Sequence, residues 1–332
     1  MANVTFIIGN GLDLSLGLKT SYRDFYYYVQ QHGLHPKNRI YQQIKENLLT
    51  WAHFEVALGQ YTQYIESVPE KDRKKESESF HEDLQEIIVD LGGYLELQEV
   101  SAQDLVNDYK FSLNQHGFFE ELASDDQKRR VQAHLQGYPV EINLITLNYT
   151  RTLEKILTGK ANIDELGLSF QTPLHMHGET SELLTIGVSE VSQLYTGMSQ
   201  QEKNDLIKPR LIAALNDGRI EALRRIIANS SLIIFFGASI GETDKYIWDY
   251  IIQWLRENNG RHIIIHKYDT NYSVKARQSP RVQRQFDNDV QDNLLKYSRL
   301  DDNDKDGLRK QIFVIHNTKK LFVKTSLKPG NK

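Results

Sequence analysis

Six short apolar runs constrain the fold of this chain most: 4–8 (VTFII), 142–147 (INLITL), 183–188 (LLTIGV), 232–237 (LIIFFG), 262–268 (HIIIHKY) and 311–316 (QIFVIH). Each has the length of a strand and is continuous rather than alternating. A strand covered by helices on both faces reads this way, because none of its positions meets water. Helical patterns lie between several of the runs. Tyr246, Ile247, Tyr250, Ile251 and Trp254 recur at helical spacing, and 274–297 reads as another helix. This alternation predicts an α/β fold with a parallel sheet flanked by helices.

The stretch 39–138 has no strong strand run. Phe80, Leu84, Ile87, Ile88, Leu91 and Leu95 form one apolar helical stripe there, and 69–76 (PEKDRKKE) reads as a solvated loop or helix end. The expected organisation is an all-helical insertion at 39–138, with the sheet built from 1–38 and 139–332. A chain of 332 residues has room for one large domain and such an insertion. The end of the chain, with Lys319, Lys320, Lys324 and Lys328, reads as a frayed basic tail.

Composition narrows the function. Forty basic and 44 acidic residues give a net charge of -4, so no global basic field exists to hold nucleic acid. The absence of cysteine excludes disulfides, thiolate zinc sites and a cysteine nucleophile, and suits a reducing cytoplasm. The first apolar run is too short for a signal peptide, and no run approaches the roughly 20 apolar residues needed to span a membrane. A cytoplasmic protein is expected.

The chemistry-bearing residues cluster at strand ends. The first run breaks into Gly9-Asn10-Gly11, followed by Asp13. Backbone without a Cβ lets a ligand approach, and free N–H groups cradle anions, so a diphosphate is expected there. The dinucleotide fingerprint is incomplete, since its third glycine falls on Leu14, and a Walker A pattern is absent. By spacing alone the pair of glycines is as much a tight turn, and Asp13 a helix cap. Beside a diphosphate Asp13 would repel, so it is expected to face a sugar hydroxyl, a metal or water. Ser21 to Asp24 reads as a capping box, starting a helix at Tyr22 that turns Tyr22, Phe25, Tyr26 and Val29 inward. Three further stretches follow the same logic: Asn148 after 142–147, His175-Met176-His177-Gly178, and Gly237-Ala238-Ser239 through Asp244. In a parallel sheet the C-terminal strand ends share one edge, where ligands bind. The plainer readings are a turn or helix cap at Asn148, a structural histidine at 177, and a cap from Ser239 or Thr243 for the helix containing Tyr246 to Trp254.

The head of the chain, from Phe6 through Gly9-Asn10-Gly11-Leu12-Asp13 to Leu18-Lys19-Thr20-Ser21-Tyr22-Arg23-Asp24-Phe25, resembles the bacteriophage abortive-infection proteins of the AbiH family. Asn148-Tyr149-Thr150, the His-x-His-Gly stretch and the late Gly-x-Ser extend the resemblance. A more distant one links the same stretches to sirtuin-type NAD-binding folds. Gly9 and Gly11 match the first glycine loop there, with Gly17-Leu18 and Phe25 matching the segment after it. Asn148 matches the Thr-x-Asn asparagine, His177 the histidine of the His-Gly motif, and Ser239 the late serine. Departures stand at Asn10, Asp13, Lys19 and Thr150, and the cysteines of the sirtuin zinc module are absent.

These resemblances imply a Rossmann-like, sirtuin-like sheet and an anti-phage abortive-infection protein. They imply that it binds NAD or a related nucleotide and hydrolyses it to nicotinamide and ADP-ribose. Asn148, orienting a ribose hydroxyl or water, and His177, as general base, would be catalytic. Gly9, Asn10, Gly11, Asp13, Gly237, Ser239 and Asp244 would hold the nucleotide. No metal is expected, and a phage-derived trigger and self-association are the expected controls.

Two rival classes stand beside this one. His175 and His177 have metal-ligand spacing, which with Asp13 and Asn10 suggests a metal-dependent phosphoesterase or nuclease. A nucleotide sensor without turnover is the other. The run 302–307 (DNDKDG) begins like a calcium loop, but its twelfth position is Phe313 rather than glutamate, so a solvated acidic turn is expected.

Overall fold

In the computed structural model of the chain, the structure describes residues 2–45, 54–101, 109–111, 119–135, 140–158, 169–215, 217–272, 276, 279–298, 300–318 and 320–324. Nine strands are described: β1 (Ala2–Ile8), β2 (Tyr109–Phe111), β3 (Val140–Thr146), β4 (Ser169–Phe170), β5 (Leu174–His175), β6 (Leu232–Phe236), β7 (His262–Lys267), β8 (Ile312–His316) and β9 (Phe322–Lys324). The main sheet runs β4-β3-β1-β6-β7-β8, with β5 pairing β3 beyond β4, and every pair in it is parallel.

Five of the six apolar runs form β1, β3, β6, β7 and β8. They are buried along nearly their whole length because a core lies on each face. One core holds Phe6, Ile8, Leu144 and Ile234, and the other Ile7, Ile145, Phe235, Trp248 and Ile265. Successive side chains of β1 alternate between these two cores, as the two-residue period of a strand requires.

The sixth run is a correction. Residues 183–188 are not a strand: they form a largely buried loop whose ladder pairing is limited to one isolated bridge, Val188 to Ile207. The apolar content serves a third core instead. Leu184, Ile186 and Val188 pack with Phe25, Phe54, Phe80 and Leu91, away from the sheet. Burial made the run apolar, but helices rather than strands do the covering.

The 39–138 stretch is mostly helical, with helices at Arg39–Lys45, Phe54–Tyr64, Glu70–Ser101 and Asp125–Ala133. It is not all helical, because β2 lies within it and pairs antiparallel with β9. Nor do its described residues form a core of their own. Its first helices share the third core with the helix Tyr22–His32, and Phe119, Leu122 and Val131 join the core beneath β1 and β3. The charged 69–76 segment opens the long helix Glu70–Ser101.

The capping box forms as read: Ser21 accepts from the Asp24 amide, and Asp24 accepts from that of Ser21. The acidic run at 302–307 is the first part of a helix, Asp302–Arg309, whose N-cap is Asp301. Within 274–297 the described helix is Pro280–Leu295, and Val274 lies outside the described residues. Lys319 and Lys328 of the tail lie outside them too. Among the described residues no helix is long and apolar enough to cross a membrane.

The order of the sheet reverses around β1. From β1 the chain steps outward through β3 to β4 and β5, then returns to lay β6 on the other side of β1 and continues to β7 and β8. Connections leaving β1 and β6 therefore diverge, and a crevice opens beyond their carboxyl ends. Ligands of open α/β sheets bind at such a switch point.

Candidate functional site

A cavity of about 540 Å³ lies at that switch point. Its walls come from four places: the segment after β1 (Gly9, Asn10 and, within the short helix Gly11–Ser15, Asp13), the loop after β3 (Leu147 to Thr150), the segment after β6 (Ser239 to Asp244), and the helices of the 39–138 stretch (Phe54, Glu55, Leu91). His177 and the 293–297 segment complete it.

The glycines hold the two central loops together. Gly9 N donates to Phe236 O at 3.0 Å and Gly11 N to Gly237 O at 2.9 Å. A Cβ on Gly9 would stand 2.4 Å from Ala238 Cα, and one on Gly11 2.4 Å from Gly237 Cα. Gly237 itself has φ of 64°, in the left-handed region. The loops after β1 and β6 are thus packed backbone to backbone. Gly9 and Gly11, expected to cradle a diphosphate, have both amides engaged within the protein. Gly9 lines the cavity, whereas Gly11 and Gly237 lie behind its wall. Asn10 turns its amide to Thr20, donating to the backbone carbonyl at 3.1 Å and accepting from the hydroxyl at 2.6 Å.

Asp13 is fully buried yet lines the cavity. It does not cap a helix. Thr150 donates its hydroxyl to Asp13 Oδ2 at 2.7 Å, and Asn148 Nδ2 points to Oδ1 at 3.4 Å. Burial raises the Asp13 carboxyl above its ordinary value, against the lowering effect of the hydroxyls of Thr150, Thr152 and Thr20. The carboxylate also fixes the Asn148 amide, since the reversed orientation would set two acceptors against each other. Asn148 is 5% exposed, and its Oδ1 has no hydrogen-bond partner. Its side chain makes no helix cap.

His177 belongs to a second, longer chain of groups. Its Nδ1 stands 3.0 Å from Leu147 O and its Nε2 2.9 Å from Asp244 Oδ1. Lys208 Nζ, with no exposed side-chain surface, lies 2.9 Å from the same Asp244 oxygen and 2.7 Å from Glu55 Oε2. Burial works to raise the Asp244 carboxyl, but Lys208 and His177 outweigh it and hold it far below the usual carboxylate range. Burial likewise works to lower the Lys208 amine, and Asp244 and Glu55 together raise it instead. His177 thus spans a backbone carbonyl on one ring nitrogen and the Asp244 carboxylate on the other. Glu55, Lys208, Asp244 and His177 form one buried row in which the Lys208 amine is shared by two carboxylates. Both ring nitrogens of His177, expected as a general base, face acceptor groups of the protein.

The two histidines do not converge on one cation. His175 Nε2 sits 2.6 Å from Glu154, with Nδ1 on Asn148 O at 3.1 Å. Burial works to lower the His175 ring, while Glu154 raises it and prevails. Among the described residues no three His, Asp or Glu side chains group as metal ligands. Ser239 is exposed on the cavity rim. Neither it nor Thr243 caps the helix Lys245–Arg256; the Tyr246 amide instead donates to Ser189 Oγ at 3.1 Å.

Glu55 and Lys208 escaped sequence reasoning, although each carried a faint signal. Glu55 is the one charge in the run 54–59 (FEVALG). Lys208 stands in the first turn of a helix, Lys208–Ala214, where the helix dipole disfavours a cation.

Comparison with curated proteins finds no match. The model of the family described as bacteriophage abortive infection AbiH matches residues 5–266, from within β1 to within β7. The match spans every part of the cavity wall except the 293–297 segment. The chain therefore belongs to the bacteriophage abortive infection AbiH family, and membership implies a role in abortive defence against phage.

Proposed function

We propose that this protein binds NAD or a closely related nucleotide in the switch-point cavity and hydrolyses its N-glycosidic bond, giving nicotinamide and ADP-ribose. The observation that carries the proposal is Asp13: a buried carboxylate with a raised pKa, on the cavity wall, beside an asparagine whose amide oxygen has no partner. The strand order supports it. With β4 and β5 taken as one interrupted edge strand, the sheet counts 3-2-1-4-5-6, the order of Rossmann dinucleotide folds. The distant sirtuin resemblance points to the same ligand.

Cleavage builds positive charge on the ribose, as in glycoside hydrolysis. Asp13 answers that charge and takes a proton from the attacking water. The water oxygen bonds to the anomeric carbon, the glycosidic electron pair passes to the pyridinium ring, and neutral nicotinamide leaves. Asn148 Oδ1 orients the water or the adjacent hydroxyl. His177 and Lys208 hold Asp244 in place. Ser239 and Lys296, on the outer part of the wall, are left to meet the phosphates.

The test is nicotinamide release from NAD by purified protein, with and without EDTA, beside Asp13→Asn and Asn148→Ala. Metal-independent release lost in both variants is the expected result. Binding without release would make the protein a nucleotide sensor. Release only with a divalent metal would favour the metal-dependent class.

A further inference from the structure

The unsatisfied polar atoms of the cavity are all of one kind. Among the described residues lining it, the buried side-chain atoms without partners are Glu55 Oε1 and Asn148 Oδ1, both acceptors. The donors buried on this side of the cavity are engaged elsewhere: the Gly9 and Gly11 amides on carbonyls and Lys208 on two carboxylates. A buried acceptor left without a donor carries an uncompensated desolvation cost. A ligand that supplies N–H groups or positive charge recovers that cost; a carboxylate or phosphate at the same place adds to it.

Glu55 comes with an aromatic wall. Phe54 and Tyr22 lie beside it with ring centroids 5.0 Å apart, and the Tyr22 hydroxyl is 3.4 Å from that of Tyr149. Burial raises both tyrosines well above their ordinary values, with the Glu55 charge adding to the rise, so both stay neutral phenols. Flat neutral rings beside a carboxylate suit a flat, electron-poor cation.

We infer that Glu55, with Tyr22, Phe54 and Tyr149, forms a subsite for a planar ring that carries N–H donors or positive charge, and that Glu55 sets specificity by rejecting a ring bearing a carboxylate. This deepens the proposed reading, in which the ring is the nicotinamide. The subsite takes the amidated pyridinium and turns away its deamidated counterpart. Glu55 is held in place by Lys208 through Oε2, which leaves Oε1 to the ligand.

The test uses two fragments of one size, 1-methylnicotinamide and 1-methylnicotinate, which differ only in amide against carboxylate. Calorimetric titration of the whole protein is expected to show the amide binding at least ~10-fold more tightly. Glu55→Gln, which offers an amide in place of the charge, is expected to bring the two within about threefold. Equal binding by the unaltered protein, no binding of either fragment at millimolar concentration, or a preference unchanged in Glu55→Gln overturns the inference. The comparison in the unaltered protein decides the question even if the variant fails to fold. Neither fragment has a ribose bond to break, so failure of NAD hydrolysis leaves this result readable, and a negative result here leaves hydrolysis open.

Discussion

Lys208 Nζ and His177 Nε2 share a single oxygen, Asp244 Oδ1, each at 2.9 Å. Three side chains meet at one buried atom, and Glu55 approaches the lysine from its other side. The 39–138 stretch is therefore wired into the wall of the cavity and does not merely sit on top of it.

Lys208→Met tests that wiring. The methionine fits the space but strands Glu55 and Asp244 as buried carboxylates. Breaking a buried pair from one side costs about 3–5 kcal/mol, against near neutrality when both partners go. Urea denaturation should show a loss of that order for Lys208→Met, and a smaller one when Glu55→Gln is added. A loss below about 1 kcal/mol for the single variant would mean that the network carries no strong coupling.

Gly237→Ala separates the structural use of the glycines from a ligand role. The residue has φ of 64°, and its Cβ would fall 2.7 Å from Gly11 Cα. Backbone strain of about 1–3 kcal/mol adds to a backbone clash that no side-chain rotation relieves. The melting temperature should drop with no ligand present. An intact fold with only ligand binding lost would return the glycines to phosphate binding.

Residues differ in how far their sequence betrayed these roles. The strands β1, β3, β6, β7 and β8 were legible because burial on both faces leaves an unbroken apolar run. The edge strands β4 and β5 have two residues each, too few for any period to show. The run 183–188 misled because burial under helices produces the same composition as burial in a sheet. Asn148, His177, Asp13 and Asp244 were found through strand-end position, and the structure brings them to one cavity. Their partners were not legible. Lys208 lies 36 residues from Asp244 and 153 from Glu55, and only the fold makes them neighbours.

Acid stability should be governed in part by His262. Its Nδ1 lies 2.8 Å from Nε2 of His134, at the start of β7. Burial lowers the His262 ring to about 4, and the charges of His134 and Arg130 push the same way. The unfolded chain takes up this proton near its ordinary value of 6.5, while the folded chain resists until about 4. The stabilisation is therefore whole above 6.5 and is lost as pH falls through that window. His262→Phe keeps a ring against Phe313 and should flatten the melting temperature between pH 6.5 and 4. An unchanged acid slope would assign the loss to other groups.

Asp13→Asn carries the sharpest consequence, because stability and activity should move apart. A carboxyl whose folded pKa is raised keeps its proton longer in the folded chain than in the unfolded one. Its contribution is most favourable at low pH and declines as pH rises from the ordinary 3.8 to the raised folded value. At neutral pH the native chain holds a charge it disfavours, and the asparagine removes it. The variant should be as stable as the parent at pH 7 or more so, and should lose the decline in stability on leaving acid. Release of nicotinamide should fall by about 10²–10⁴, the usual worth of a positioned base. Such opposite signs mark a residue kept for chemistry at the expense of the fold. A variant that loses stability while keeping its activity would instead make Asp13 a structural anchor for Thr150 and Asn148, and the search for the base would move elsewhere on the cavity wall.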